Sequence, residues 1–238
     1  EGIRNIEEAW QSELQIDTIL YNEQLLKTER GCRLYRAIEK KKIETIKISE
    51  NELQNISHST TPQGILAICQ KFQHDFAELI KGNIKSLVIL DAIQDPGNLG
   101  TIIRTADAAG VSGIIVGKGT VDIYNPKVLS SAMGSLLHVP VVKVDDLPAA
   151  IRRLKEKGIR ILACDVHAEK NYLEVNYRYP LGVIFGNEGA GLHKDIIDLA
   201  DEALKIPIMG KAESLNVGIA CGIVLYKMQE GRNWTGTN

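Results

Sequence analysis

Val183-Ile184-Phe185-Gly186-Asn187-Glu188-Gly189-Ala190-Gly191-Leu192 is an apolar run that breaks into a glycine-rich turn carrying one carboxylate. A continuous apolar run bounded by glycine reads as a strand buried on both faces, the kind found in parallel sheets covered by helices. With Gly182 in front, this run is one of six of similar character. The others are Leu87-Val88-Ile89-Leu90, Gly113-Ile114-Ile115-Val116, Val139-Pro140-Val141-Val142, Ile159-Arg160-Ile161-Leu162-Ala163 and Leu204-Lys205-Ile206-Pro207. Helical stretches separate them, so residues 86–238 are expected to form a parallel-sheet α/β domain.

The chain before this domain has a different rhythm. Residues 2–14 and 28–42 read as helices, and Ile16–Tyr21, Ile43–Ile48 and Gly64–Cys69 as strands. Ser49 is placed to cap a helix over 50–56. The result is a small alternating α/β domain over residues 1–78, joined through a polar linker at 79–85 around Gly82-Asn83. Neither segment repeats the other.

Composition narrows the class. The 238 residues, 44% of them hydrophobic, can fill one large core or two small ones. No apolar run approaches the length of a membrane span and no charged-then-apolar leader precedes the first helix, so a cytoplasmic protein without a membrane partner is expected. Because the chain starts at Glu1 rather than Met, native sequence before it is expected to be missing. Cys32, Cys69, Cys164 and Cys221 form no C-x-x-C pair and the five histidines lack ligand spacing, so no metal is assigned and the thiols read as buried and free. The net charge of −2 is low for a nucleic-acid binder, but Arg30, Arg33, Arg36, Lys40, Lys41 and Lys42 are clustered. That cluster is either a solvated helix face or an RNA-contacting patch.

A covered parallel sheet suggests a dinucleotide site, yet no G-x-G-x-x-G follows any strand, and Gly117-Lys118-Gly119 fails as a phosphate loop. Polar residues gather instead at two further strand-to-helix junctions. One is Asp95-Pro96-Gly97-Asn98-Leu99-Gly100-Thr101-Ile102-Ile103-Arg104-Thr105-Ala106; the other is Ile206-Pro207-Ile208 with Glu213-Ser214-Leu215-Asn216-Val217. Three junctions with polar tips point to one composite site at the strand ends.

Together the three segments resemble the signature motifs of the SpoU/TrmH class of SPOUT methyltransferases, closely over about residues 84–230 and more loosely over 1–78. The resemblance implies transfer of a methyl group from S-adenosylmethionine to a ribose 2′-hydroxyl of RNA. It also implies a deep C-terminal trefoil knot, an exception to the rule that chains are un-knotted, and an N-terminal domain with a ribosomal-protein-like fold that helps hold RNA. The cofactor pocket would be formed by Gly186, Asn187 and Gly189, with Ile206, Ile208 and Leu215 around the adenine. The catalytic set would be Asn98, Arg104, Glu188, Ser214 and Asn216, with the arginine reaching across a homodimer whose interface includes the last helix.

Each of these residues also has a plainer reading. The resemblance implies that Arg104 clamps a phosphate and, in a role proposed for the family but uncomfortable for a group this basic, assists deprotonation; the plainer reading is one half of a surface ion pair. Asn98 can orient ribose or belong to the Pro96-Gly97 turn. Glu188 can orient substrate or sit on the dipole of a helix following Gly186-Asn187. Ser214 can face substrate or cap the last helix. That helix, Val217–Gln229, carries Gly218, Ala220 and Gly222 for close packing. One departure is Ser130, which stands where family members often have a basic residue, with Lys127 as a possible substitute. No acid, histidine and serine arrangement supports a hydrolase. The resemblance favours ribosomal RNA, with transfer RNA as the alternative substrate. A non-catalytic RNA-binding or ribosome-assembly protein, and methylation conferring antibiotic resistance, remain as further readings.

Overall fold

The computed structural model describes residues 1–230 apart from Glu13, Lys42 and Phe72. The expected helix ends near Glu13 and at Lys42, Lys42 of the basic cluster, and residues 231–238 therefore lie outside the described residues. The chain divides into two compact units, Glu1–Phe72 and Gln73–Asn238.

The first unit runs α1 (Ile3–Gln11), β1 (Ile16–Tyr21), α2 (Glu29–Lys40), β2 (Glu44–Lys47), α3 (Glu50–Ile56) and β3 (Ile65–Cys69). Its sheet has the order β2-β1-β3, with β1 parallel to β2 and antiparallel to β3. Ser49 caps α3, as the sequence suggests, and Glu52 makes the cap reciprocal; Thr28 caps α2 by accepting from the Gly31 N–H. Ile3 and Ile6 of α1 and Leu34 and Ile38 of α2 meet Ile19 and Ile65 of the sheet in one core. The basic stretch is partly self-neutralised: Arg30 is paired with Glu7, and the Lys41 ammonium lies 4.4 Å from the centre of the Trp10 ring.

The second unit begins with α4 (Phe76–Leu79), followed by β4 (Ser86–Leu90), α5 (Pro96–Ala108), β5 (Gly113–Val116), α6 (Pro126–Ala132), β6 (Val141–Lys143) and α7 (Leu147–Glu156). It continues with β7 (Arg160–Cys164), β8 (Lys170–Asn171), β9 (Leu181–Phe185), α8 (Lys194–Ile197), β10 (Glu202–Lys205) and α9 (Val217–Gln229). Phe76, Leu79, Ile80 and Ile84 pack against the core of this unit, so the division falls earlier than the linker read at 79–85.

All seven strands are parallel, in the order β6-β5-β4-β9-β7-β10-β8. Every residue of β4, β5 and β9 is buried, which is why their apolar runs are uninterrupted. The two-residue strand β8 was not expected. β6 begins at Val141 rather than Val139, and β10 ends at Lys205, leaving Ile206 and Pro207 in the loop. On the flank of the sheet, α5 and α6 are pressed together at Gly100. A Cβ there would lie 2.5 Å from the Ser131 Cβ and 2.7 Å from the Val128 carbonyl oxygen, so no larger residue fits.

Candidate active site

Because all the strands run the same way, their C-terminal ends share one edge of the sheet, and the loops leaving β4, β9, β7 and β10 converge there. The loop after β4 is tied to the end of β9: the Asp91 N–H donates to the Phe185 carbonyl at 2.9 Å, and Asn187 Nδ2 donates to the Ala92 carbonyl at 2.8 Å. Ala92 is held at φ 54°, in the left-handed region that few non-glycine residues adopt.

The Glu188 carboxylate organises the junction. It accepts from the backbone N–H groups of Gln94 and Asp95, both at 3.1 Å, and from Asn98 Nδ2 at 3.0 Å. Asn98 Oδ1 accepts in turn from Asn216 Nδ2 at 2.7 Å. Asn216 Oδ1 accepts from the Gly218 and Ile219 N–H groups and so caps α9. The direction of this chain is chemically fixed. An ionised carboxylate only accepts, so Asn98 must turn its NH2 toward Glu188 and its oxygen toward Asn216. Three segments up to 118 residues apart are thus joined by two side-chain hydrogen bonds.

Two of the plainer readings change. No helix follows Glu188 directly, since α8 starts at Lys194, so Glu188 does not sit on the dipole of the helix expected there. It faces the N-terminal end of α5 instead, whose own cap is Asp95, accepting from the Asn98 N–H at 2.8 Å. Asn98 is accordingly a residue of the first turn of α5. Ser214 does not cap α9, because Asn216 does; Ser214 lies in the wall of the adjoining cavity.

Burial by itself would raise the Glu188 pKa, but the hydrogen bonds from Asn98 and from the backbone of Gln94, Glu188 and Asp95 outweigh it and hold the carboxyl below its ordinary range. A depressed folded pKa contributes stability that is present above the unfolded value and is lost as pH falls through the folded one. E188Q should therefore be less stable than the parent at pH 7, and urea midpoints measured down to pH 3 should converge; a constant gap across that range would contradict the assignment.

A cavity of about 250 Å³ opens beside Glu188. Its lining includes Gly186, Asn187, Gly189, Ile206, Ile208 and Leu215, together with Glu188 and Ser214, so all six residues expected to hold the cofactor meet around one space. Asn187 also holds its own loop, accepting from the Gly189 and Ala190 N–H groups at 2.9 Å. Gly186 is small for the same internal reason: a Cβ there would lie 2.4 Å from the Gly191 carbonyl carbon and oxygen. At Gly189 a Cβ would meet only Asn187 Oδ1, at 3.7 Å, so this glycine leaves open space.

The wall residues missed include Cys164, the last residue of β7, and Asp165, Val166 and His167 directly after it. The available signal was the polar tip Asp165-Val166-His167 directly after an apolar run. Burial first and neighbouring Asp165 second push the Cys164 thiol up to about 12, which favours its protonated form at neutral pH. All four cysteines are free, but only Cys221 is fully buried. Among the described residues no cluster of three potential metal ligands occurs, and no helix is long and apolar enough to cross a membrane.

Arg104 lies apart from the hydrogen-bonded chain. It is exposed on α5, and its Nη1 approaches the Met133 sulfur at 2.9 Å. No carboxylate among the described residues pairs with it, which removes the ion-pair reading. The small residues Gly218 and Gly222 of α9 face Thr101 and Thr105 of α5, as expected of close packing, whereas Ala220 lines the cavity.

Comparison with known proteins agrees with this architecture. Residues 1–67 match the MRM3-like substrate binding domain. The chain is 37% identical over 187 residues to the 23S rRNA (guanosine(2553)-2′-O)-methyltransferase RlmP of Bacillus subtilis, covering 79% of this chain and 73% of the relative. The crystal structure of the SpoU methyltransferase AviRb from Streptomyces viridochromogenes in complex with the cofactor AdoMet superposes with a TM-score of 0.85 at 28% identity, covering 97% of this chain and 88% of that one. An AdoMet-bound rRNA methyltransferase from Sinorhizobium meliloti superposes with a TM-score of 0.86 at 28% identity, over 98% and 87% of the two chains. Residues 85–226 match the SpoU rRNA Methylase family, which takes in the whole hydrogen-bonded chain from Asn98 to Asn216 and the cavity beside it; the protein belongs to that family.

Proposed function

We propose that this protein transfers a methyl group from S-adenosylmethionine to a ribose 2′-hydroxyl of ribosomal RNA. The observation that carries the reading is the Glu188–Asn98–Asn216 chain set against a cavity with one apolar and one polar wall. The cavity suits such a cofactor: Ile206, Ile208 and Leu215 offer an apolar wall for a planar base, Gly189 leaves room at the turn, and Asp165 and Glu188 supply negative charge for a cationic ligand. When bound, the cofactor supplies an activated methyl group on a good leaving group.

What remains for the protein is to position the 2′-oxygen and help remove its proton. The Glu188–Asn98–Asn216 chain fixes the floor on which the ribose lies. Ser214, free of capping duty, is available to the substrate. Arg104, unpaired by any described carboxylate, is suited to clamp a phosphate next to the reacting ribose.

The finer features belong to the same proposal. A homodimer is supported by α9, a largely apolar helix whose Ile219 and Tyr226 are exposed seven residues apart on one face. In it, Arg104 would complete the partner's site. The C-terminal knot is supported by the return of the segment after β10 to α5 through the Asn216–Asn98 hydrogen bond. Ribosomal rather than transfer RNA is supported by the likeness to RlmP and by the match of residues 85–226 to the SpoU rRNA Methylase family. An enzyme acting on this RNA would work in the cytoplasm.

The test is transfer of radiolabelled methyl to ribosomal RNA, transfer RNA and ribosomal subunits from cells lacking the protein, followed by nucleoside analysis. A 2′-O-methylated nucleoside in the ribosomal pool is expected. Label confined to transfer RNA would replace the substrate, and cofactor binding without transfer to any pool would favour a non-catalytic RNA-binding role.

A further inference from the structure

Helix α6 runs alongside α5, and the contacts between them advance together. Lys127 Cε lies 3.7 Å from where a Cβ of Gly97 would stand, Gly100 meets Val128 and Ser131, and Arg104 meets Met133. The two helices therefore form one seam with Lys127 at the Asn98 end and Arg104 at the other. Seven residues of α5 separate these ends, roughly 10 Å along the helix axis.

Lys127 holds its charge in reserve. Its nearest carboxylate oxygen is Asp95 Oδ2 at 3.9 Å, with the two side chains 64% and 48% exposed, and an exposed pair at that distance is worth at most about 1 kcal/mol. The other oxygen of Asp95 is already engaged in capping α5. Cations elsewhere are more fully used: Arg30 pairs with Glu7, and Lys47 pairs with Glu23 at 3.0 Å. In a chain with 28 basic and 30 acidic residues, a cation beside the site with only a long, exposed carboxylate contact helps decide where a polyanion can lie.

We propose that Lys127 is a second phosphate-binding residue of the substrate site, holding a neighbouring phosphate of the RNA strand that Arg104 clamps, so that the strand follows the α5–α6 seam. The proposal rests on the reading of the protein as an RNA methyltransferase and names where its substrate's backbone runs. Lys127 does not touch the reacting atoms; it sets affinity and register.

The experiment compares K127Q and K127R with the parent in two assays on the full chain: filter binding of ribosomal RNA across a salt series, and steady-state methyl transfer. K127Q should lower the slope of log affinity against log salt by about one, the loss of one phosphate contact. It should raise KM for RNA about tenfold and lower kcat far less, while calorimetric affinity for S-adenosylmethionine and Tm stay at the parent values. K127R should restore the salt slope. An unchanged slope with unchanged KM would overturn the proposal, and so would a raised KM accompanied by a lower Tm and weaker cofactor binding, the mark of a disturbed helix. Should the parent methylate no RNA at all, the proposed reaction fails by itself, and the salt slope still decides Lys127.

Discussion

Replacing Arg104 with alanine should lower methyl transfer by at least about a thousandfold, within the range that a positioned group contributes to proton transfer and substrate alignment, while leaving the fold and cofactor binding intact. The separation follows from where the side chain sits. Arg104 is exposed, its one polar contact among the described residues is with the Met133 sulfur, and no described carboxylate pairs with it, so its removal breaks no hydrogen bond or ion pair that α5 needs. Exposed substitutions of this kind usually change stability by less than about 0.5 kcal/mol. The cavity proposed for the cofactor draws on the loops after β7, β9 and β10 and does not include Arg104. Single-turnover methylation, calorimetry with S-adenosylmethionine and thermal melting on the same preparation would test all three statements. Methylation at the parental rate would refute the role, and a large loss of cofactor affinity would relocate it. R104K should recover only part of the activity, because a lysine lacks the planar, two-pronged donor set.

Gly186→Ala should be nearly as damaging through a different route. The added carbon would stand 2.4 Å from the Gly191 carbonyl carbon and oxygen and 2.6 Å from the Leu192 nitrogen, all backbone atoms that cannot swing aside. The turn that bridges Asn187 to Gly191 must open, and Glu188 sits inside that turn. Overpacking of this kind costs about 1–3 kcal/mol of stability, and displacement of the cavity wall should cost cofactor affinity about a hundredfold, equivalent to roughly 2.7 kcal/mol. Gly189→Ala is the matched control. Its Cβ meets nothing closer than Asn187 Oδ1 at 3.7 Å, so melting should be unchanged and any loss of affinity would report a ligand lying against that turn. Equal melting and binding for G186A and the parent would show that the loop accommodates a side chain after all.

Much of this arrangement could be read from the residues before any coordinates. Strands buried on both faces advertise themselves by unbroken apolar runs, and β4, β5 and β9 did so within a residue or two. Capping chemistry is equally local, and Ser49 announced α3 three residues before its reciprocal partner Glu52. What stayed hidden depended on neighbours chosen by topology. Lys170–Asn171 has no apolar signal, because an edge strand of two polar residues is a strand only by virtue of lying beside β10. Pro140 brings no N–H to a ladder, which fits a strand that begins at Val141, two residues later than the apolar pattern implies. At the site, the residue types were legible and their partners were not. Asn216 reads as one more polar residue before a helix, and nothing within 20 positions of it reveals that its amide meets Asn98. The capping alternative for Ser214 failed for a related reason: two plausible caps stood two residues apart, and Asn216, which also bonds Asn98, took the position. Asp165 and His167 were missed because β7 becomes a neighbour of β9 only once the strand order is known.

The pairing of β4 with β9 also bears on how the protein is made. Leu90 finds its partner Phe185 about 95 residues later, and β4 has only β5 beside it until then. At the usual pace of synthesis, about 5–20 residues per second, a strand that is fully buried in the finished fold waits on the ribosome with one flank unsatisfied for roughly 5–20 s. The nascent chain thus passes through a sticky half-built sheet, and its yield in cells should depend on chaperone supply and on elongation speed between β5 and β9 more than on the stability of the finished fold.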